Sequence, residues 1–329
     1  MKLLVDQYNR EVNYLRLSVT DRCNLRCRYC RPEEGIELLP QREILTFEEI
    51  LRVVKVFASQ GIRKVRLTGG EPLVRRGIVE LVRDIVATQG VMDVSLTTNG
   101  VLLAEYARPL KEAGLRRINV SLDSLRPERF AHITRRDRFG QVWEGIEEAL
   151  RVGFAPVKLN VVALRGFNDD EIEDFARLSL QYPLHIRFIE FMPVGENNWR
   201  KEDVLSCDEI KGRVEAAFGE LVPLPRGDMD GPARRFRIRG SKGEVGFISP
   251  LTAHFCSSCN RLRVTADGKI RTCLFSDDEM DLKGLLRSGA SDDALAGALR
   301  EALARKPEGP CRDGFRMRKC QRGMATIGG

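Results

Sequence analysis

Six apolar segments of strand length alternate with helical patterns over the first 190 residues of this 329-residue chain. The predicted strands cover residues 14–19, 64–68, 93–97, 117–121, 157–162 and 184–190. The predicted helices cover residues 46–60, 78–88, 103–113, 142–151 and 171–180. Strands that alternate with helices in this way predict a parallel sheet with right-handed crossovers.

Such units form either an open doubly wound sheet or a partial barrel. No GxGxxG motif opens the first helix, which disfavours a dinucleotide-binding fold. Residues capable of chemistry follow the strands at their carboxyl ends, where barrel enzymes carry their active sites. These residues are Cys23, Gly69, Gly70, Thr97, Asn99, Ser121, Asp123 and Met192. The predicted fold class is therefore α/β, with a partial (βα)6 TIM-like barrel.

The pattern changes after about residue 195, where prolines and glycines interrupt it. Short strands at 236–238, 245–248 and 261–265 and a helix at 292–304 are predicted there. We expect residues 1–220 to form the partial barrel. We expect residues 221–329 to form a C-terminal extension that binds a metal cluster and covers the open side of the barrel.

The chain carries a formal net charge of +7, which fits either an anionic partner or a slightly basic soluble protein. Its basic clusters are short, and no arginine-rich arm of the nucleic-acid-binding type is present. No apolar run reaches the roughly 18 residues of a membrane span, and the amino terminus lacks the features of a signal peptide. The expectation is a cytoplasmic protein that binds neither membrane nor nucleic acid.

Nine cysteines are present, and six of them form two groups of three. In the first group, Cys23, Cys27 and Cys30 follow a CxxxCxxC pattern. Cytosolic thiols stay reduced, so close cysteines there indicate metal or cluster ligands. Three thiolates on a four-iron cluster leave one iron open for another ligand. A zinc site is the alternative, but zinc usually takes four ligands, and the chain has only three histidines.

The second group is Cys256 and Cys259, followed by Cys273. A zinc ribbon remains an alternative here, although no fourth ligand stands at ribbon spacing. Arg261 and Arg263 point to one face of a predicted strand, and paired guanidinium groups suit phosphate oxygens. The other cysteines, Cys207, Cys311 and Cys320, are interpreted as buried or incidental thiols.

The first triplet, with Tyr29 before its last cysteine, resembles the signature of the radical SAM superfamily, and residues 69–72 (GGEP) resemble its second motif. The resemblance implies a [4Fe-4S] cluster that binds S-adenosylmethionine and cleaves it to a 5′-deoxyadenosyl radical. It also implies the residues that contact this cofactor. They are Tyr29, Gly70, Ser121 and Met192.

The second triplet and several other segments resemble the GTP 3′,8-cyclases that begin molybdenum-cofactor biosynthesis. These segments are residues 15–24 (LRLSVTDRCN), 97–100 (TTNG), 121–123 (SLD), 255–263 (FCSSCNRLR) and the terminal Gly328 and Gly329. One departure is Arg31, where methionine is expected after the third cysteine. The resemblance spans nearly the whole chain.

This family resemblance implies a second [4Fe-4S] cluster on Cys256, Cys259 and Cys273, whose open iron receives the purine of GTP. The implied GTP-binding residues are Arg16, Arg66, Thr97, Lys158, Arg261, Leu262 and Arg263, with Lys64 and Arg187 as further basic lining. The implied catalytic residues are Arg16, Arg261, Arg263, Gly328 and Gly329. The implied reaction removes hydrogen from ribose carbon 3′ and closes a ring onto guanine carbon 8.

The same resemblance implies a flavodoxin- or ferredoxin-type reductant, a homodimer, and a cyclic pyranopterin monophosphate synthase as the downstream partner. Two alternatives stay open at this stage. One is a radical SAM enzyme for another substrate, such as a peptide, although such enzymes usually carry more auxiliary cysteines. The other is a non-enzymatic nucleic-acid-binding protein with zinc or a cluster, which predicts strongly salt-dependent binding.

Overall fold

The predicted alternation of strands and helices is present in the computed structural model. The structure describes residues 3–32, 35–195, 197, 199–227, 230–309, 312–313, 316–317 and 320–328. The first six strands are β1 Tyr14–Ser18, β2 Lys64–Thr68, β3 Asp93–Thr98, β4 Arg117–Ser121, β5 Val157–Ala163 and β6 Leu184–Glu190. The helices among them are α1 Phe47–Gln60, α2 Ile78–Val86, α3 Leu103–Glu112, α4 Pro127–Thr134, α5 Phe139–Arg151 and α6 Ile172–Gln181.

The C-terminal part mixes short strands with four further helices among the described residues. Its strands are β7 Val222–Pro223, β8 Arg234–Arg237, β9 Glu244–Ile248, β10 Arg261–Val264, β11 Lys269–Arg271, β12 Met280–Asp281, β13 Arg312–Asp313 and β14 Arg316–Met317. Its helices are α7 Cys207–Phe218, α8 Leu282–Arg287, α9 Asp292–Ala304 and α10 Met324–Ile327.

Twelve of these strands form one sheet in the order β12-β11-β10-β1-β2-β3-β4-β5-β6-β9-β8-β7. Strands β1 to β6 are parallel and pair in sequence order, as the alternation predicted. The two ends of the sheet, β12 and β7, do not pair with each other, so the barrel is partial. The predicted fold class is confirmed.

The C-terminal part does more than cover the barrel, because its strands extend both edges of the central sheet. Strand β10 pairs in parallel with β1, and β9 pairs in parallel with β6. The sequence did not predict these pairings, since each joins segments far apart in the chain. A boundary near residue 220 stays a prediction.

Helix α1 forms as its local sequence predicts. The Thr46 side chain accepts a hydrogen bond from the Glu49 backbone, and the Glu49 side chain accepts one from the Thr46 backbone. Gly61 ends the helix at a φ of 120°. The apolar stripe of the helix (Ile50, Val53, Val54, Phe57) is buried against the sheet and the neighbouring helices.

Four helices among the described residues were not predicted: α4, α7, α8 and α10. Helix α4 begins with Pro127, a residue favoured at the first helical position. Helix α7 begins after Ser206, whose side chain accepts a hydrogen bond from the Glu209 backbone. The serine and a glutamate three residues later were the signal that could have identified α7.

Two of the isolated cysteines are buried, as expected for incidental thiols: Cys207 and Cys320. Cys311 lies outside the described residues. Within the described ranges, no helix combines the length and apolar character needed to cross a bilayer.

Candidate functional site

The first cysteine triplet lies in the loop that follows β1, at the carboxyl edge of the sheet. Backbone hydrogen bonds join this loop to the end of α4, from Arg26 N to Thr134 O at 3.0 Å and from Arg28 N to Ile133 O at 2.9 Å. A turn within the loop is closed by Cys30 N donating to Cys27 O at 2.9 Å. The unpredicted helix α4 therefore fixes the backbone between Cys23 and Cys30.

The second motif packs directly against the segment that leads into this loop. Gly70 N donates to Thr20 O, and Glu71 N donates to Arg22 O, each at 2.7 Å. A Cβ on Gly70 would lie 2.3 Å from Arg22 O, and a Cβ on Gly69 would lie 2.5 Å from Thr20 O. Both glycines are required because the two backbones are in contact.

Glu71 connects this motif to the end of β3. Its buried carboxylate accepts hydrogen bonds from Thr98 Oγ1 at 2.8 Å and from Asn99 N at 2.6 Å. The Asn99 side chain in turn donates to Asn24 at 2.7 Å and to Cys23 Sγ at 3.6 Å. Burial raises the pKa of Glu71 to about 7. Glu71 was not predicted to be a site residue, although its position in the GGEP motif could have identified it.

Tyr29 is oriented by a carboxylate from the segment that follows the fourth strand. Its hydroxyl donates to Asp123, whose other oxygen accepts from Val162 N at 2.8 Å. Burial raises the pKa of Asp123 to about 6, and burial beside Asp123 raises the pKa of Tyr29 well above its usual value. Sequence reasoning placed both residues at this edge of the barrel but did not pair them.

Arg31, the departure from the expected methionine, folds back onto the cysteine loop. Its guanidinium is buried and donates to the carbonyl of Asp21. The Asp21 carboxylate accepts from Leu39 N at 2.6 Å. The buried Arg31 side chain therefore supports the backbone at Asp21, which leads into the cysteine loop.

The second cysteine triplet is carried by the β10–β11 hairpin. Cys256 and Cys259 lie in the turn before β10, and Cys273 follows β11. Burial raises the pKa of Cys256. At Cys259 burial acts in the same direction, but Arg261 and Lys306 outweigh it and lower the pKa to about 7. A thiol with a lowered pKa is a better metal ligand, since the thiolate is the ligating form.

A row of arginines crosses three adjacent strands between the two triplets. Arg16 on β1 is in register with Arg263 on β10 and with Arg66 on β2. Like charges opposite one another destabilise a sheet unless an anion compensates them. Burial lowers the pKa of Arg16 to about 10. The row is therefore suited to a ligand with several negative charges.

Further basic residues adjoin this row. Arg187 lies at the cavity wall, and burial lowers its pKa to about 10. Lys158 is buried behind the wall, where burial and then the charges of Arg187, Arg117 and Arg66 lower its pKa to about 5. Lys64 is also buried, 3.8 Å from Asp93, and burial lowers its pKa to about 8.

The structure places two predicted GTP ligands away from the cavity surface. Leu262 is fully buried in the hydrophobic core, because successive residues of β10 point to opposite faces of the sheet. Only its backbone can face a ligand. Lys158 is buried and does not line the cavity, whereas Arg66 and Arg187 do.

The C-terminal tail reaches the arginine row. The carbonyl of Gly328 accepts hydrogen bonds from Arg263 at 2.6 Å and from Arg16 at 3.4 Å. Gly328 has a φ of 72°, and a Cβ there would lie 2.5 Å from Thr68 Oγ1. Gly329 lies outside the described residues.

All six cysteines line one cavity of about 330 Å³, a size typical of small-molecule sites. Other predicted site residues line the same cavity. They are Arg16, Tyr29, Arg66, Gly70, Thr97, Ser121, Met192, Arg261 and Arg263. The buried oxygens of the lining that have no hydrogen-bond partner among the described residues include Thr97 Oγ1 and Asn160 Oδ1. Buried polar atoms usually have partners, so these two suit contact with a bound ligand.

The donor set fits iron–sulfur clusters, since each triplet brings three thiols to the wall of one cavity. Among the described residues, no three His, Cys, Asp or Glu side chains are arranged to hold a single metal ion.

Two family descriptions match the chain in succession. Residues 17–179 match the radical SAM superfamily, and residues 184–310 match the C-terminal region of molybdenum cofactor synthesis proteins. The first match contains the Cys23 triplet, and the second contains the Cys256 triplet.

Curated relatives match over almost the full length. A GTP 3′,8-cyclase of Thermodesulfovibrio yellowstonii is 52% identical over 325 residues, covering 98% of this chain and 99% of the relative. A GTP 3′,8-cyclase of Moorella thermoacetica is 51% identical with the same coverage.

Solved structures share the fold at low sequence identity. SuiB of Streptococcus suis, determined with S-adenosylmethionine bound, aligns with a TM-score of 0.65 at 14% identity and covers 97% of this chain and 79% of its own. Native anSMEcpe with bound AdoMet aligns with a TM-score of 0.54 at 16% identity, covering 85% of this chain and 81% of its own. These likenesses support the partial-barrel architecture.

Proposed function

This chain belongs to the GTP 3′,8-cyclase family of radical SAM enzymes, and on that premise we propose that it cyclises GTP to (8S)-3′,8-cyclo-7,8-dihydroguanosine 5′-triphosphate. The reaction is the first step of molybdenum-cofactor biosynthesis. One observation carries the proposal: both cysteine triplets face a single cavity, with a row of three arginines between them.

We assign the first triplet, Cys23, Cys27 and Cys30, to a [4Fe-4S] cluster that binds S-adenosylmethionine at its open iron. When bound, the cluster and the cofactor supply a carbon radical that removes hydrogen from the substrate. We assign cofactor contacts to four residues of the cavity wall, which are Tyr29, Gly70, Ser121 and Met192. Asp123 supports this assignment because it fixes the Tyr29 ring beside the cluster loop.

We assign the second triplet, Cys256, Cys259 and Cys273, to a second [4Fe-4S] cluster that receives the purine of GTP. Three thiolates again leave one iron free for a substrate ligand. The lowered pKa of Cys259 favours the thiolate needed for ligation. This triplet and the first line the same cavity, which supports the binding of one substrate molecule near both clusters.

We assign triphosphate binding to the cationic wall between the triplets. Arg16, Arg66, Arg261 and Arg263 present guanidinium groups suited to bidentate contact with phosphate oxygens. Arg187 adds positive charge at this wall, and Lys64 adds more from within the sheet. Lys158 would add its charge when a bound triphosphate raises its pKa. Thr97 offers a hydroxyl oxygen that has no hydrogen-bond partner in the described part of the chain, and Leu262 contributes its backbone only.

We assign catalytic support to Arg16, Arg261, Arg263 and the terminal Gly328 and Gly329. The arginines hold the developing charge of the substrate in a closed site that keeps water away from reactive species. Arg16 and Arg263 both donate to the Gly328 carbonyl, and these hydrogen bonds hold the C-terminal tail where it helps to close the site. The role of Gly329 rests on the family alone.

Several partners are proposed on family membership alone. They are a flavodoxin- or ferredoxin-type reductant, a homodimeric assembly, and a downstream cyclic pyranopterin monophosphate synthase. A reducing compartment such as the cytoplasm is proposed because thiol ligands persist where disulfides do not form. We also propose that residues 1–220 form the partial-barrel domain and that residues 221–329 form the C-terminal region that binds the second cluster.

The proposal is tested by oxygen-free reconstitution followed by a single assay. The protein should contain about eight irons per chain, from two four-iron clusters. Incubation with GTP, S-adenosylmethionine and dithionite should yield 5′-deoxyadenosine and a cyclised nucleotide. Replacing Cys23, Cys27 and Cys30 with serine should abolish both products.

Omission of GTP and its replacement by ATP are the matched controls, and neither should give a cyclised nucleotide. Cofactor cleavage without GTP cyclisation would contradict the substrate assignment and favour another radical SAM reaction. Zinc in place of iron at both triplets would contradict the whole proposal.

A further inference from the structure

Lys306 is a buried lysine, 2% exposed, that lies just beyond the end of α9. Lysine is rarely buried to this extent unless its ammonium group is fully partnered. Its Nζ donates to Arg261 O at 2.9 Å, to Thr272 O at 2.7 Å and to Cys259 Sγ at 3.6 Å. All three protons of the ammonium group are thus used.

These three acceptors lie on the segments that carry the second triplet. Cys259 is itself a triplet member, Arg261 begins β10, and Thr272 directly precedes Cys273. One ammonium group therefore fixes the turn before β10 relative to the end of β11. It also places a positive charge against the sulfur of Cys259.

The position of Lys306 is itself fixed from the other end of the chain. Arg10 donates to the carbonyls of Pro307 at 2.7 Å and Glu308 at 2.8 Å, directly after Lys306. The same guanidinium donates to the carbonyl of Cys256 at 2.9 Å, and its Nε pairs with Asp6 at 2.7 Å. Two buried cations thus reach all three cysteine-bearing segments.

Building on the second cluster proposed above, we propose that Lys306 is a positioning residue of that cluster, which orients the Cys259 thiolate and balances the charge of the cluster. Hydrogen bonds to ligand sulfur and nearby positive charge both stabilise the reduced state of an iron–sulfur cluster. Lys306 is therefore expected to raise the reduction potential of the second cluster. A lysine that merely filled space would leave this potential unchanged.

The test uses the full-length protein with Cys23, Cys27 and Cys30 replaced by serine, so that only the second triplet can hold iron. After oxygen-free reconstitution this parent should contain about four irons per chain. Its midpoint potential is measured by titration with electron paramagnetic resonance detection. Lys306→Met removes the charge, Lys306→Arg retains it, and Lys269→Met removes a positive charge from β11 outside the cavity wall.

We expect Lys306→Met to shift the midpoint potential to a more negative value, while Lys306→Arg and Lys269→Met remain close to the parent. Loss of iron in Lys306→Met but not in Lys306→Arg would also support the role. A loaded Lys306→Met protein with an unchanged potential would overturn it. Loss of iron in both Lys306 variants, with unchanged circular dichroism, would show a packing role only and also overturn it.

Failure of the parent to bind any iron would remove the second cluster, and the inference about Lys306 with it. A parent that does bind iron keeps the second cluster whatever the Lys306 variants show. The two failures are therefore distinguishable.

Discussion

The guanidinium of Arg263 donates a hydrogen bond of 2.6 Å to the carbonyl of Gly328. This contact joins β10, which follows Cys256 and Cys259, to the C-terminal tail. Because Arg16 approaches the same oxygen and is in register with Arg263, the tail and the arginine row form one unit. A change in the tail is therefore expected to alter the proposed substrate site.

Gly328→Ala should impair GTP cyclisation while leaving the fold intact. The added Cβ would lie 2.5 Å from Thr68 Oγ1, and the φ of 72° is unfavourable for alanine. Strain of this kind costs roughly 1–3 kcal/mol, enough to lower the population of the seated tail about ten-fold. Product formation is measured beside Gly297→Ala, a helical glycine with open space around it. Equal activity of the two variants would exclude a role for the seated tail.

Gly70→Ala should reduce iron binding at the first triplet only. Its Cβ would lie 2.3 Å from Arg22 O, so the segment before Cys23 must shift. We expect about half the iron of the wild-type protein and loss of 5′-deoxyadenosine formation, measured after reconstitution. Gly140→Ala is the control and should load fully, because the new Cβ would have open space around it outside its own helix. Full loading of Gly70→Ala would be evidence against this packing argument.

GTP binding should be coupled to proton uptake at Lys158. The pKa of about 5 leaves this amine largely neutral near pH 7, and a bound triphosphate would raise that pKa. The contribution of Lys158 to affinity should therefore weaken as pH rises above 5, by up to about ten-fold per pH unit.

Calorimetry in buffers of different ionisation enthalpy measures this uptake. Lys158→Arg keeps a permanent charge, so it should bind GTP with up to about one proton less taken up than the wild-type protein. Identical proton uptake in the two proteins would show that Lys158 does not titrate on binding.

Glu71 should make the metal-free protein less stable as pH rises. Burial raises its folded-state pKa from 4.5 to about 7, so the folded state binds the proton more tightly than the unfolded state. The contribution of Glu71 to the free energy of unfolding is fully present below pH 4.5 and is lost as pH rises through 7. The loss amounts to roughly 3 kcal/mol.

Urea unfolding at pH 5 and pH 8 measures this dependence. Glu71→Gln should flatten it, whereas Glu128→Gln, at an exposed position of α4, should retain it. If the free energy of unfolding of Glu71→Gln changed between pH 5 and pH 8 as much as that of the wild-type protein, other groups would be responsible for the pH dependence.

Local patterns in the sequence predicted the central sheet well. The apolar period and the Thr46–Glu49 capping box determine α1, because both act within a few residues. Helix α7 has a similar start signal at Ser206 and could have been identified. The pairing of β10 with β1 could not, because it joins residues about 250 positions apart and depends on the whole barrel.

The sequence by itself determined the ligand chemistry: cysteine spacing defines two three-thiol sets, and the GGEP motif and the family resemblance identify the kind of cofactor. Only the tertiary structure decided which groups act together. It placed Arg16 between Arg263 and Arg66, buried Leu262, and brought Lys306 to Cys259. Spacing along a loop fixes local ligand sets, whereas contacts between distant segments depend on sheet register and helix packing, which arise only when the whole chain is folded.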